Sequence, residues 1–184
     1  MNLISRRDMN RLLPRHLLDS LSVLPYVTGT RVLDVGTGPG LPGMPLAIVD
    51  PNRTYTLCDR MAKRIRFLHM ANRELKMSNV NLEERNLSKE PFLDQHFDTI
   101  LARGVAPGPV LWPMVEPYLE KGGRVIVFES AQAESSVDTT EIVPAEQDTL
   151  DEAVLDYRSE KISCLIPGLE QPHFLCILQR KEKY

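Results

Sequence analysis

From residue 31 onward, short apolar runs alternate with stretches whose apolar residues recur at helical spacing. RVLDV (Arg31–Val35), TYTLCD (Thr54–Asp59), NVNLEER (Asn79–Arg85), FDTILAR (Phe97–Arg103) and RVIVFE (Arg124–Glu129) each predict a strand. Between them, Leu41–Asp50 predicts a helix with Pro42 near its first turn, where proline is tolerated. Arg60–Met77 predicts a second, because Met61, Ile65, Leu68, Ala71 and Leu75 recur every three or four residues. Pro109–Gly123 predicts a third, interrupted by proline and closed by Gly122-Gly123. Strands alternating with helices imply parallel pairing through right-handed crossovers, hence an open α/β sheet.

Both ends break this rhythm. Residues 130–153 are polar, acidic and free of Lys and Arg, which predicts a loop or a short helix. AVLDYRSEKISCLI and HFLCILQR flank Pro167-Gly168 and predict a terminal antiparallel hairpin. In residues 1–28, Leu12, Leu13, Leu17, Leu18 and Leu21 form an apolar stripe, so this segment is expected to be one helix packed against the core of 29–184. The 184 residues suffice for a sizeable core and are expected to form one domain.

Composition narrows the class. An apolar share of 42% and a charged share of 26% are those of a soluble globular protein. No apolar run approaches the ~20 residues of a membrane span, and the first twenty residues lack the continuous apolar stretch of a secretion signal. A cytoplasmic protein away from membranes is expected. Cys58, Cys164 and Cys176 are widely spaced in apolar company, the pattern of buried thiols rather than of a disulfide or a metal site. The net charge of −3 conceals an asymmetry: residues 1–76 hold 12 Lys+Arg against 6 Asp+Glu, and residues 77–184 hold 10 against 19. A basic front half on an acidic protein suits a polyanionic partner, although charges of this kind also simply solvate helix faces.

The chemistry concentrates in LDVGTGPGLPG (Leu33–Gly43). Gly38, Gly40 and Gly43 form a G-x-G-x-x-G, and Asp59 ends the next strand 16 residues on. Alone, that is the fingerprint of a dinucleotide site, and a tight turn without a ligand is the plainer alternative. Asp34 tips the balance. A pyrophosphate on this loop would lie beside a carboxylate two residues before Gly36, and two anions in a partly desolvated cleft repel by kilocalories. S-adenosylmethionine has no phosphate and carries an ammonium and a sulfonium, so Asp34 becomes an attraction. Asp59 suits ribose hydroxyls in either cofactor. A methyl donor is therefore favoured over a nicotinamide-dependent oxidoreductase. An RNA-binding protein without catalysis on the same scaffold is the third reading.

The chain resembles the bacterial 16S rRNA guanine-N7 methyltransferase family, RsmG (GidB). The likeness is carried by RHLLDSL (Arg15–Leu21), DVGTGPGLPG (Asp34–Gly43) and KRIRFL (Lys63–Leu68), and less strongly by NLISRRD, FDTILARG and HFLCILQRK. It implies a Rossmann-like class I S-adenosylmethionine-dependent methyltransferase with a mostly parallel seven-stranded sheet and a C-terminal antiparallel hairpin. It also implies methyl transfer to N7 of one guanine, guanine 527, of 16S rRNA in the small ribosomal subunit or its assembly intermediate, by a monomer. Cofactor contacts are then expected at Asp34, Gly36, Gly38, Gly40, Leu41, Asp59, Leu87, Ser88 and Arg103, with Arg103 at the junction of cofactor and substrate. RNA phosphates are expected on Arg11, Arg15, Lys63, Arg64 and Arg66. The chain departs from the family pattern at Ser88, where an acidic residue is common, and at Glu129-Ser130, where Lys-Gly is usual. Guanine N7 has a free lone pair and no proton to lose, so no general base is expected, and His16, His69, His96 and His173 show no spacing that pairs them with a nucleophile.

Overall fold

A computed structural model of the chain describes residues 12–87, 95–129 and 156–181. Seven strands form one sheet: β1 (Arg31–Val35), β2 (Thr54–Asp59), β3 (Val80–Glu84), β4 (Phe97–Arg103), β5 (Leu119–Glu129), β6 (Tyr157–Cys164) and β7 (His173–Arg180). Their order is β3-β2-β1-β4-β5-β7-β6. The first five strands pair in parallel, while β7 lies antiparallel to both β5 and β6. From β1 the chain winds one way to β2 and β3, then returns to β1's other side with β4. Such a reversal opens a crevice at the carboxyl ends of the strands, where α/β sheets bind ligands.

The central strands are apolar because both of their faces are covered. On one face, α2 (Gly43–Val49) and α3 (Ala62–Glu74) cover a core containing Leu46, Tyr55, Leu57, Leu68 and Leu101. On the other, α4 (Gly108–Val115) packs Leu111, Trp112 and Val115 over Ile100, Val125 and Leu178. Trp112 also stacks obliquely on Tyr157, with 4.8 Å between ring centroids. The expected parallel sheet and terminal hairpin are both present.

Three expectations are corrected. The stripe on α3 narrows to Ile65 and Leu68, which are buried, and Ala71, which packs against the core, because the helix spans only Ala62–Glu74 and leaves Met61 and Leu75 exposed at its ends. The proline-interrupted helix ends at Val115 rather than running to Gly123. Pro117 sits in a 3₁₀ turn, Glu116–Tyr118, and β5 begins immediately after it. Gly122 and Gly123 therefore kink a strand instead of capping a helix: Gly122 has φ +77°, and a Cβ on Gly123 would stand 2.8 Å from the Asp98 carbonyl oxygen. Finally, the N-terminal stripe does not form one helix. A wide π-type coil, Leu12–Leu18, leads into the four-residue α1 (Asp19–Ser22) and a 3₁₀ turn, Leu24–Tyr26. The change of pitch leaves Leu13 and Leu17 exposed, while Leu18 and Leu21 pack on the core. The expectations for residues 1–11 and 130–153 lie outside the described residues.

Candidate active site

β1 ends in a loop whose backbone only glycine adopts comfortably: Gly36, Gly38 and Gly40 have φ of +64°, +59° and +95°. The loop folds back over Asp34. That carboxylate is fully buried, and its Oδ2 accepts from the Thr37 hydroxyl at 2.6 Å and from the Gly43 N–H at 2.8 Å. A Cβ on Gly43 would stand 2.7 Å from the same oxygen, so glycine there lets α2 start against the carboxylate. Oδ1 finds no hydrogen-bond partner among the described residues. Burial pushes the Asp34 carboxyl up to about 7, against the Thr37 and Gly43 hydrogen bonds and the nearby Arg103 charge, which favour its ionised form.

Asp59 ends β2 and is equally enclosed, at 2% exposure. Its Oδ2 accepts from the Gly38 N–H at 2.9 Å and its Oδ1 from the Met61 N–H at 2.9 Å. The two strand-end carboxylates thus brace the glycine loop from beneath. Cys58, the residue before Asp59, is inert: burial raises its thiol to about 12.

Above the loop lies a cleft in two lobes that share Gly36, Arg64 and Gly104. One lobe, of about 340 Å³, is lined by Thr37, Gly38, Leu41, His16 and Arg103. The other, of about 370 Å³, is lined by Asp59, Leu87, Arg85, Val105 and Met114. Gly36, Gly38, Leu41, Asp59, Leu87 and Arg103 are thereby brought together, as their sequence positions led one to expect. Gly40 lines neither lobe; its bare Cα admits Met44 and Leu68, whose side chains come within 2.8 Å of where a Cβ would be. Asp34 lies below the lining rather than in it. Ser88 is outside the described residues.

The basic residues divide. Lys63 and Arg66 are exposed on α3, and Arg15 is exposed on the N-terminal coil. Arg64 is half-buried. It precedes the buried Ile65, and its Nη1 donates to Asp59 Oδ2 at 3.0 Å between the two lobes. Arg11 is outside the described residues.

Arg103 completes the first lobe, but partners from distant parts of the chain hold it. Its Nη2 donates to the Arg15 carbonyl oxygen at 2.8 Å and pairs with Asp19 Oδ2 at 3.1 Å. Asp19 Oδ1 in turn accepts from His173 Nδ1 at 2.7 Å. Burial lowers the pKa of Arg103, while Asp19 and Asp34 oppose that shift. Spacing marks neither Asp19 nor the contacts of His16 and His173, which the fold brings here. The available signal was RHLLDSL, which contains two of them and sets an acid in an otherwise apolar stripe.

This topology, with a glycine loop between two strand-end carboxylates, defines the class I methyltransferase fold. The glycopeptide N-methyltransferase MtfA, solved with S-adenosyl-L-methionine, superposes with a TM-score of 0.67 at 15% identity, covering 91% of this chain and 88% of that one. Precorrin-6y C5,15-methyltransferase from Geobacter metallireducens does so at 0.55 and 13%, covering 89% and 87%. Within that class, the chain belongs to the rRNA small subunit methyltransferase G family (GidB), whose sequence model matches residues 1–162. It is 49% identical over 105 residues to ribosomal RNA small subunit methyltransferase G of Klebsiella pneumoniae (strain 342), covering 57% of this chain and 50% of the relative. To the protein of the same name from Methylococcus capsulatus it is 46% identical over 123 residues, covering 66% and 59%. The chain spans about half the length of the curated relatives it matches.

Proposed function

We propose that the chain transfers a methyl group from S-adenosylmethionine to N7 of a guanine in 16S rRNA, at position 527, as expected from the family. The observation that carries this reading is the pair of buried carboxylates, Asp34 and Asp59, beneath the glycine loop. A pyrophosphate on the loop would be repelled by the carboxylates beneath it, whereas an ammonium is attracted toward Asp34, whose buried Oδ1 has no hydrogen bond among the described residues. Asp59 accepts the ribose hydroxyls, Gly36, Gly38 and Leu41 let the backbone approach, and Leu87 supplies apolar surface to the adenine. Bound there, S-adenosylmethionine supplies a methyl group activated by its sulfonium.

The protein's task is orientation. Guanine N7 attacks through its own lone pair, so no side chain has to remove a proton, and alignment within a near-attack distance supplies the rate. Arg103, at the mouth of the first lobe, offers directed N–H donors to the substrate. Exposed Lys63 and Arg66, with Arg15, hold RNA phosphates in a salt-dependent, sequence-blind way. The chain acts as a monomer in the cytoplasm, on the small subunit or an assembly intermediate of it. Among the described residues, no helix is long and apolar enough to cross a membrane.

Calorimetric titration with S-adenosylhomocysteine tests the cofactor assignment: binding is expected, and Asp34→Ala is expected to abolish it. A folded wild-type chain that binds nothing overturns the reading. Charge reversal of Lys63 and Arg66 together is expected to weaken RNA binding, to reduce the slope of log affinity against log salt by about 2, and to leave S-adenosylhomocysteine binding unchanged. Equal loss of both affinities would show that these residues do not act through RNA phosphates.

A further inference from the structure

Arg103 ends β4 next to Gly104, which has φ +64°. Its guanidinium is fixed by other parts of the chain. Asp19 and the Arg15 carbonyl hold Nη2, Ser20 Oγ lies 3.4 Å from Nη1, and the Phe128 ring centroid lies 5.8 Å from Cζ. His16 Nδ1 stands 3.5 Å from Nη2 on the cleft side. Asp19 is only 2% exposed, and its other oxygen is taken by His173 of β7.

This is a costly way to attach an N-terminal segment. Burying a carboxylate and a guanidinium together breaks even at best, and apolar residues of similar size do the same anchoring more cheaply. The cost makes sense if the guanidinium has to stay charged, face the cleft and keep still. An unrestrained arginine carries about 2 kcal/mol of rotamer entropy, which would be lost at each productive encounter.

We propose that Asp19 is a positioning residue for the transfer reaction: it aims the Arg103 guanidinium into the first lobe beside Gly36 and Leu41, while His173 fixes the carboxylate from the far side. Asp19 lines neither lobe and acts through Arg103. The proposal rests on the reading of the cleft as a methyl-transfer site.

The test is a cycle of Asp19→Asn, Arg103→Gln and the double variant, assayed for methyl transfer to small-subunit RNA alongside S-adenosylhomocysteine binding. Asp19→Asn is expected to lower kcat about 10- to 100-fold, the penalty of a misplaced group. KM for S-adenosylmethionine and the Kd of S-adenosylhomocysteine are expected to stay within about twofold. In the Arg103→Gln background, Asp19→Asn is expected to cause no further loss, because its only route of action is gone. Multiplying losses, or an Asp19→Asn variant as fast as wild type, overturn the proposal. A wild type that binds S-adenosylhomocysteine but transfers nothing overturns the functional reading instead. A readout independent of turnover and of variant folding is NMR of the ligand-free wild type. Slow rotation about the Arg103 Nε–Cζ bond is expected, and a freely rotating guanidinium overturns the proposal.

Discussion

On one side of the cleft the glycine loop draws its contacts from its own neighbourhood. Thr37 reaches Asp34 three residues back, Gly43 reaches the same carboxylate nine residues back, and the hydrogen bond from Gly38 to Asp59 spans 21. On the other side Arg103 is held across 83 residues by Ser20 and across 88 by Arg15, and the carboxylate that pairs with it is tied across 154 residues to His173. The local side needs little more than the first two strands to take shape. The remote side joins the N-terminal segment to β4 and β7, so damage to those elements reaches it while sparing the loop.

Breaking the local side is expected to cost the most. In Gly43→Ala the new methyl meets Asp34 Oδ2 at 2.7 Å and Leu57 Cδ1 at 2.9 Å, both in packed surroundings. A loss of about 3 kcal/mol in urea unfolding is expected, with S-adenosylhomocysteine binding lost as well. A cost below 1 kcal/mol would show that α2 slides freely and that the loop is not braced by Asp34. On the remote side, His173→Ala strips a donor from a buried carboxylate and is expected to cost about 2 kcal/mol. Hydrogen exchange locates the damage: protection is expected to fall in α1 and to persist in the Gly36–Gly43 loop. Equal loss in both regions would erase the distinction.

The two sides also differ in response to pH. The Asp34 carboxyl is raised from 3.8 to about 7 in the ligand-free fold, so its contribution to stability is fully present below about pH 4 and is lost as the pH rises through 7. The ammonium of the ligand is drawn to the ionised form, which gives affinity the opposite trend. S-adenosylhomocysteine is expected to bind about tenfold more tightly at pH 8 than at pH 6, and Asp34→Asn is expected to remove that dependence. A pH profile that survives the substitution would move the titration elsewhere. Smallest is the effect of Gly38→Ala. Its Cβ meets nothing nearer than 3.9 Å, so only the positive φ is strained, at about 1 kcal/mol by denaturation. Parity with Gly43→Ala would mean that backbone strain, not close approach, governs the loop.

The same division explains what was legible in the sequence. β1, β2 and β4 run over the residues their apolar runs marked, because buried parallel strands are apolar on both faces and end where glycine or a carboxylate begins. The loop carboxylates could be read for the same reason: their partners lie within the quoted stretch or at the end of the next strand. Gly122-Gly123 misled, since glycine closes helices and kinks strands alike, and the nearby Asp98 carbonyl decides between them. Arg64 lines both lobes and pairs with Asp59, a partner that the charge pattern of α3 does not mark. Asp19 stood in view inside RHLLDSL, but its meaning depends on β4 and β7, which no local pattern brings near.

The Asp19–His173 contact also has a tempo. At roughly 5–20 residues per second of synthesis, about 8–30 s separate the emergence of its two ends. β7, which carries His173, is also the strand that slots between β5 and β6, so the sheet closes late. Throughout that interval the Asp19 carboxylate lacks its His173 partner, while the hydrogen-bond partners of the glycine loop, Asp34, Cys58 and Asp59, are already made. A growing chain thus holds the makings of the loop well before the carboxylate that pairs with Arg103 gains its second anchor.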